Sequence, residues 1–314
     1  MENQPPLNDP WLIAAWPGMG AVASSACYYL IAKLGMRLLE EFPAREFFDL
    51  ESIEVKDGLI LTGPLPRSRF FLWQDPNKIH DIVVFIGEAQ PPSKGAAFCG
   101  KLIEYARKLG VRRVFTFAAM GTQMRPKNAS RVFGAAIDRG TLAHFNRCDI
   151  HMLEKGQISG LNGVLLGVAA DYGMKGGCLL GEMPQVFSQF PFPKASLAVL
   201  KGLKRLAEIT LDFKELQAQA QEVENGLEEF LNRLESSVGN PGGTAPAKDE
   251  AESESESESS PPSISKTEKQ KISRLFAVAR DDRSRAYELK QELDRLHVFH
   301  EYEDQFLDLF KEPE

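Results

Sequence analysis

The residues able to do chemistry gather around glycine-rich turns. Gly18-Met-Gly20-Ala-Val-Ala23 follows an apolar run and opens a stretch of small, helix-forming residues. Two glycines and a third small residue let a backbone approach a phosphate while the helix N-terminus favours its negative charge. Glu40 stands where a ribose-binding carboxylate would follow a second strand. The same spacing also makes a tight strand-to-helix turn with no ligand, and Pro17 fits that reading better.

Two glutamates repeat one pattern. Glu88 lies in Gly87-Glu-Ala-Gln-Pro-Pro92, and Glu182 in Leu179-Leu-Gly-Glu-Met-Pro184. Each follows an apolar strand and a glycine. Ligands of open α/β sheets bind beside the carboxyl ends of strands, so Glu88, Gln90 and Glu182 are expected near a shared polar cleft. The plainer role is capping of a loop. Gly156-Gln-Ile-Ser-Gly-Leu-Asn-Gly163 leads into a helix that Ser159 or Asn162 could cap. With Gly160 it is also a candidate anion nest. It lacks the Gly-Lys-Ser/Thr ending of a P-loop, and no Gly-x-Ser-x-Gly elbow occurs. The expected cleft is thus lined by Gly18, Gly20, Glu88, Gln90, Ser159, Gly160, Asn162 and Glu182. A nucleotide is the ligand it would take, and no other cofactor, metal or catalytic set is implied. His297, His300 and Glu301 could share a helix face, but a third ligand is not evident.

The elements that must position these residues alternate. Strands are expected at Trp11–Trp16, Met36–Phe42, Phe47–Val55, Leu59–Leu61 (after a turn at Asp57-Gly58), Arg69–Trp73, Asp81–Gly87 and Val111–Ala118. Further strands are expected at 148–153 and 177–182. Asp81–Gly87 is continuously apolar and β-branched, as a strand covered on both faces must be. Helices are expected at Ala21–Leu34, Lys94–Leu109, 161–172, 194–209 and 213–235, the first two ended by Gly35 and Gly110. Alternation of this kind implies a mostly parallel sheet with helices on both faces.

Past Ser236 the composition shifts. A Gly/Pro-rich stretch runs into alternating Glu and Ser up to Ser260, then Pro261-Pro262. Such a segment, 236–263, buries too little apolar surface to offset its ordering entropy, and a solvated linker is expected. Ser265-Lys-Thr-Glu268 is a capping box. Two amphipathic helices, 266–280 and 284–310, should follow as a hairpin in the region 264–314, packed on the main domain (1–235) or on another copy.

The net charge of -7 belongs to the ends. The linker carries -5 and the helical tail -2, while residues 1–235 are neutral. Within them, residues 101–150 hold 10 basic against 3 acidic groups. A neutral domain argues against a general nucleic-acid binder, and the local excess could attract an acidic partner or the chain's own acidic run. Cys27, Cys99, Cys148 and Cys178 lack Cys-x-x-Cys spacing, so buried free thiols are expected. No basic-then-apolar leader and no membrane-length apolar run is seen. A cytoplasmic protein is the expectation.

Several of these stretches together carry a resemblance. They are Trp16-Pro-Gly-Met-Gly20, Asp57-Gly58, Asp81–Gly87 with Glu88-Ala-Gln-Pro91, Leu109–Phe115, Gly156–Leu166 and Cys178–Pro184. In that order and spacing, residues 11–235 resemble the proteasome assembly chaperone 2 family. The resemblance implies a three-layer α/β/α domain similar to nucleoside phosphorylase-like folds. It also implies a protein-binding, assembly-chaperone-like role, oligomeric and without catalysis. Some relatives carry an ATP-grasp label, but no lysine and Mg²⁺-binding carboxylate set can be placed here. Relatives that dock on proteasome rings can use a C-terminal hydrophobic–Tyr–any tripeptide; this chain ends Lys311-Glu-Pro-Glu314.

Overall fold

The computed structural model describes residues 6–49, 54–56, 58–61, 65–238 and 264–311. Its strands are β1 (Trp11–Ala15), β2 (Arg37–Glu41), β3 (Glu54–Lys56), β4 (Leu59–Leu61), β5 (Ser68–Trp73), β6 (Ile82–Gly87), β7 (Arg113–Thr122), β8 (Val132–Ala136), β9 (His151–Met152) and β10 (Lys175–Pro184). Its helices are α1 (Val22–Lys33), α2 (Gly95–Lys108), α3 (Arg139–Arg147), α4 (Leu161–Asp171), α5 (Pro193–Leu206), α6 (Lys214–Val238), α7 (Lys266–Asp281), α8 (Ala286–Arg295) and α9 (Phe299–Asp308).

Eight strands form one mostly parallel mixed sheet in the order β2-β5-β6-β1-β7-β10-β8-β9. The centre, β6-β1-β7-β10, is all parallel. Antiparallel pairs join β2 to β5, β5 to β6 and β10 to β8. A separate two-stranded hairpin pairs β3 with β4. It turns at Gly58, whose φ is +77°.

Alternation along β1 shows why the sheet is covered twice. Trp11, Ile13 and Ala15 point into one core, with α1, α5, the start of α6 and the C-terminal helices. Leu12 and Ala14, with Trp16 just beyond, point into the other, under α2 and α4. A period of two sends neighbours to opposite faces, and both faces are apolar.

Some elements differ from the sequence reading. Where Phe47–Val55 was expected as one strand, Arg45–Phe47 is a 3₁₀ turn and a strand runs over Glu54–Lys56, with 50–53 outside the described residues. The β8 strand and α3 had no counterpart in that reading. The C-terminal region has three helices where two were expected. The break falls at Leu296–Val298, where His297 takes φ +57° and the Val298 amide turns back to the Leu293 carbonyl at 3.0 Å. The expected linker lies, from 239 to 263, outside the described residues.

The C-terminal helices pack on the sheet domain. Phe276, Tyr287, Leu289, Phe306 and Phe310 join the same core as Tyr28, Tyr29 and Phe71. The Leu38 amide of edge strand β2 donates to the Phe310 carbonyl at 2.6 Å. All four cysteines are free and buried. Burial pushes the Cys99 and Cys178 thiols up to about 12, so neither is a nucleophile near neutral pH.

Candidate functional site

The first glycine turn connects β1 to α1. Gly20 has φ +61° and Ala21 φ +49°, so the chain reverses through left-handed backbone before α1 begins. A Cβ on Gly20 would lie 2.5 Å from the Met183 sulfur, which fills the space beneath the turn. The Gly20 amide donates to the Ser188 carbonyl at 2.9 Å, and its carbonyl accepts from the Phe192 amide at 2.9 Å. The turn is therefore clipped to the segment after β10. Gly18 is extended and exposed. Glu40 is not placed for ribose recognition. It sits on edge strand β2, three strands from β1 and thus about 14 Å away across the sheet. The Tyr105 hydroxyl donates to it instead.

Gln90 joins the two glycine-rich turns. Its Nε2 donates to the Pro17 carbonyl at 3.0 Å, and its Oε1 accepts from the Leu161 amide, also at 3.0 Å. The start of α4 is thus satisfied by a distant side chain. The expectation that Ser159 or Asn162 caps α4 does not hold, because the N-cap residue is Gly160 and the capping oxygen is that of Gln90. Gly160 has φ +70°, and a Cβ on it would meet Gln90 Oε1 at 2.7 Å. Ser159 is exposed. Asn162 is buried, and its carbonyl accepts from Thr116 Oγ1 at 2.8 Å. Gln90 thus ties the turn at Pro17 to the start of α4 at Gly160 and Leu161.

The two glutamates belong to separate networks. Glu88 accepts from the Arg67 amide at 2.7 Å and from Arg69 Nη1 at 2.5 Å. Arg69 is fully buried and also pairs with Asp304 of α9. Arg67 bridges the same Asp304 at 2.8 Å and Glu41 at 2.6 Å. Burial raises the Glu88 carboxyl above its ordinary range, against the pull of the Arg67 amide and Arg69. Burial acts on Asp304 in the same sense, but its two arginine partners outweigh it and hold that carboxyl low. Glu182 is buried at the end of β10. Arg131 grips it with two nitrogens, both at 2.7 Å, and Thr122 Oγ1 donates at 2.9 Å. The Arg131 hydrogen bonds hold its carboxyl below the ordinary range. β1 and β7 lie between β6 and β10, about 14 Å in all. The pair thus anchors two arginine networks, not one acid–base couple.

Sequence reasoning missed Arg69, Asp304, Tyr28 and Glu303. Tyr28 donates to Glu303 inside the core between α1 and α9. A lone arginine in the apolar strand Ser-Arg-Phe-Phe-Leu-Trp was a readable sign that a buried counter-charge must exist. Nothing local marks Asp304 as that partner. His300 is exposed, and no group of three metal-ligand side chains gathers among the described residues.

The carboxyl-end surface is apolar instead. Met19, Val186, Phe190, Phe230 and Leu234 are all exposed, Val186 by 67% and Phe190 by 56%. Phe190 and Phe230 both pack on buried Phe187, with ring centroids 6.2 and 6.3 Å away. Met19 precedes Gly20, whose amide bonds the Ser188 carbonyl in the same segment as Val186 and Phe190. Leu234 is one helical turn beyond Phe230. Exposed apolar groups gathered this way mark interaction surfaces more often than solvent-facing ones.

A family model for the PAC2 family matches residues 12–231. The chain belongs to the PAC2 family. The match stops before α7, so the C-terminal helices lie outside it. An uncharacterized protein of Methanocaldococcus jannaschii is 24% identical over 236 residues, 73% of this chain and 84% of that one. Two solved structures have the same fold at a TM-score of 0.61 and 24% identity: Pyrococcus furiosus PbaB, an archaeal proteasome activator, and a PAC2 family protein from Streptomyces avermitilis. They cover 74% and 70% of this chain, and 96% and 95% of their own. Pyrococcus furiosus PbaA, an archaeal homolog of proteasome-assembly chaperone, matches at 0.57 and 23%, over 75% of this chain and 93% of its own. The C-terminal helices, outside the matched residues, pack on the α1 face of the sheet.

Proposed function

We propose that this PAC2 protein is a protein-binding, assembly-chaperone-like module that works as an oligomer or with a protein partner, in the cytoplasm and without catalysis. The observation that carries this reading is the apolar surface of Met19, Val186, Phe190, Phe230 and Leu234 at the carboxyl ends of the strands. In an α/β enzyme that region holds the reacting groups. Here the carboxylates beside it are held by arginines, and the glycine turn is filled by Met183. Membership of the PAC2 family, and the descriptions of PbaA and PbaB, support a partner that is itself a protein. Neutral overall charge in residues 1–235 makes nucleic acid a poor candidate. No helix among the described residues is long and apolar enough to cross a membrane.

The test is mass in solution together with native co-purification. Assembly above the 34.9 kDa chain mass, or a stoichiometric protein partner, is expected. Either should be lost in Phe190→Asp/Phe230→Asp, with the circular dichroism spectrum unchanged. A second copy and a distinct partner are separated by whether the purified chain assembles alone.

One observation favours a small ligand as a second reading. Trp16 Nε1 and Asn162 Oδ1 are buried with no hydrogen-bond partner among the described residues, near the turns that Gln90 joins. A polar small molecule or nucleotide seated there would satisfy them. A thermal-shift screen of nucleotides and nucleosides, repeated in Gln90→Leu, tests it; no shift with any of them would remove this reading.

A further inference from the structure

A groove of about 320 Å³ lies on the opposite side of β10 from the glycine turns, between α5 and the strands β8 and β9. Its cationic lining is Arg131, Lys194, Lys201 and Arg205, against one acid, Asp149. Leu197 and Ala198 form part of its floor. Lys194, Lys201 and Arg205 stand seven and four residues apart, so α5 presents them as one stripe. α5 itself contains no acidic residue.

Not all of this charge is available. Arg131 is held by Glu182, and Lys194 by Glu224 at 2.7 Å. Lys201 has no partner among the described residues, and Arg205 uses only its Nε, which donates to the Cys148 carbonyl at 2.9 Å. Its two terminal nitrogens remain for an incoming carboxylate.

We propose that this groove seats the chain's own acidic run, Asp249, Glu250, Glu252, Glu254, Glu256 and Glu258. Charge complementarity names the occupant, and the path of the chain brings it within reach. Lys194 lies beside both Glu224 of α6 and the Pro126 carbonyl. Arg125 next door pairs with Glu228 and Glu235 toward the end of α6. From Glu224 to Val238 the helix rises about 21 Å. The residues from Val238 to Asp249 span up to about 36 Å, so the run reaches back to the groove. Each exposed pair contributes little and is screened by salt. Binding rests instead on several carboxylates tethered at millimolar effective concentration. This inference stands apart from the protein-binding reading, because the groove and the apolar surface share no residue.

The experiment is acylation footprinting of the full chain, with Lys201 as reporter and Lys108, on the opposite face of the sheet, as reference. The comparison variant replaces the run by D249N, E250Q, E252Q, E254Q, E256Q and E258Q. Lys201 should react about twofold or more slowly in the unaltered chain than in the variant at low salt. The difference should vanish near 1 M salt, and Lys108 should not change. Arg205→Glu in the unaltered chain should release Lys201 in the same way. Equal Lys201 rates in the two proteins would overturn the proposal. So would protection that disappears on dilution, since a second copy would then be supplying the acids.

Discussion

Replacing Arg69 by methionine tests the network that ties the C-terminal helices to the sheet. Arg69 has no solvent exposure and lies between Glu88, 14% exposed, and Asp304, 44% exposed. Losing one partner of a buried ion pair costs about 3–5 kcal/mol, because the remaining charge stays desolvated and unpaired. Here Asp304 is partly wet and Arg67 still reaches it, so the lower end, about 3 kcal/mol, applies. For a chain of this length that is a fall in Tm of roughly 5 °C. Denaturant unfolding and calorimetry measure it. The triple variant Arg69→Met/Glu88→Gln/Asp304→Asn removes every charge of the cluster except Arg67 and Glu41, which pair with each other. It should recover most of the loss, because a buried pair replaced by neutral groups is close to neutral in stability. A cost for Arg69→Met below about 1 kcal/mol, the range of exposed pairs, would refute the reasoning.

Two further outcomes follow from the same geometry. Gly160→Ala should destabilise by about 1 kcal/mol or more, from its left-handed φ and the contact with Gln90 Oε1; the cost should shrink in a Gln90→Ala background, read as a double-mutant cycle. Arg295 and Lys271 lower the Glu292 carboxyl to about 2 against burial. A lowered carboxylate contributes stability above its unfolded value near 4.3 and loses it as pH falls toward about 2. The protection of α7 and α8 amides, taken relative to their intrinsic exchange rates, should therefore fall across that window, and Glu292→Gln should flatten the dependence.

The sheet's centre was legible because its residues leave no alternative. Ile82–Gly87 is too short and too apolar for a surface helix, and Gly35 and Gly110 end α1 and α2 in the left-handed backbone that glycine favours. β8 was hidden because Val-Phe-Gly-Ala-Ala carries only one β-branched residue, although Asp138, which accepts from the Thr141 amide at 3.0 Å, was a readable cap for α3. Gln90 stands between the two glycine turns through its bonds to Pro17 and Leu161. What the sequence could not show was who satisfies whom. Gln90 meets Leu161 across 71 residues, and Arg69 meets Asp304 across 235. The expectation of one cleft for Glu88 and Glu182 rested on their matching local pattern. Strand order decides that question, and it places two strands between them.

The central claim, a protein-binding surface at the carboxyl ends of the strands, meets its most direct test in sedimentation equilibrium and native co-purification of the unaltered chain beside Phe190→Asp/Phe230→Asp. The account predicts a defined assembly or stoichiometric protein partner for the first, and neither for the second at equal thermal stability. A chain that stays at 34.9 kDa across concentrations and co-purifies with no stoichiometric protein would contradict it.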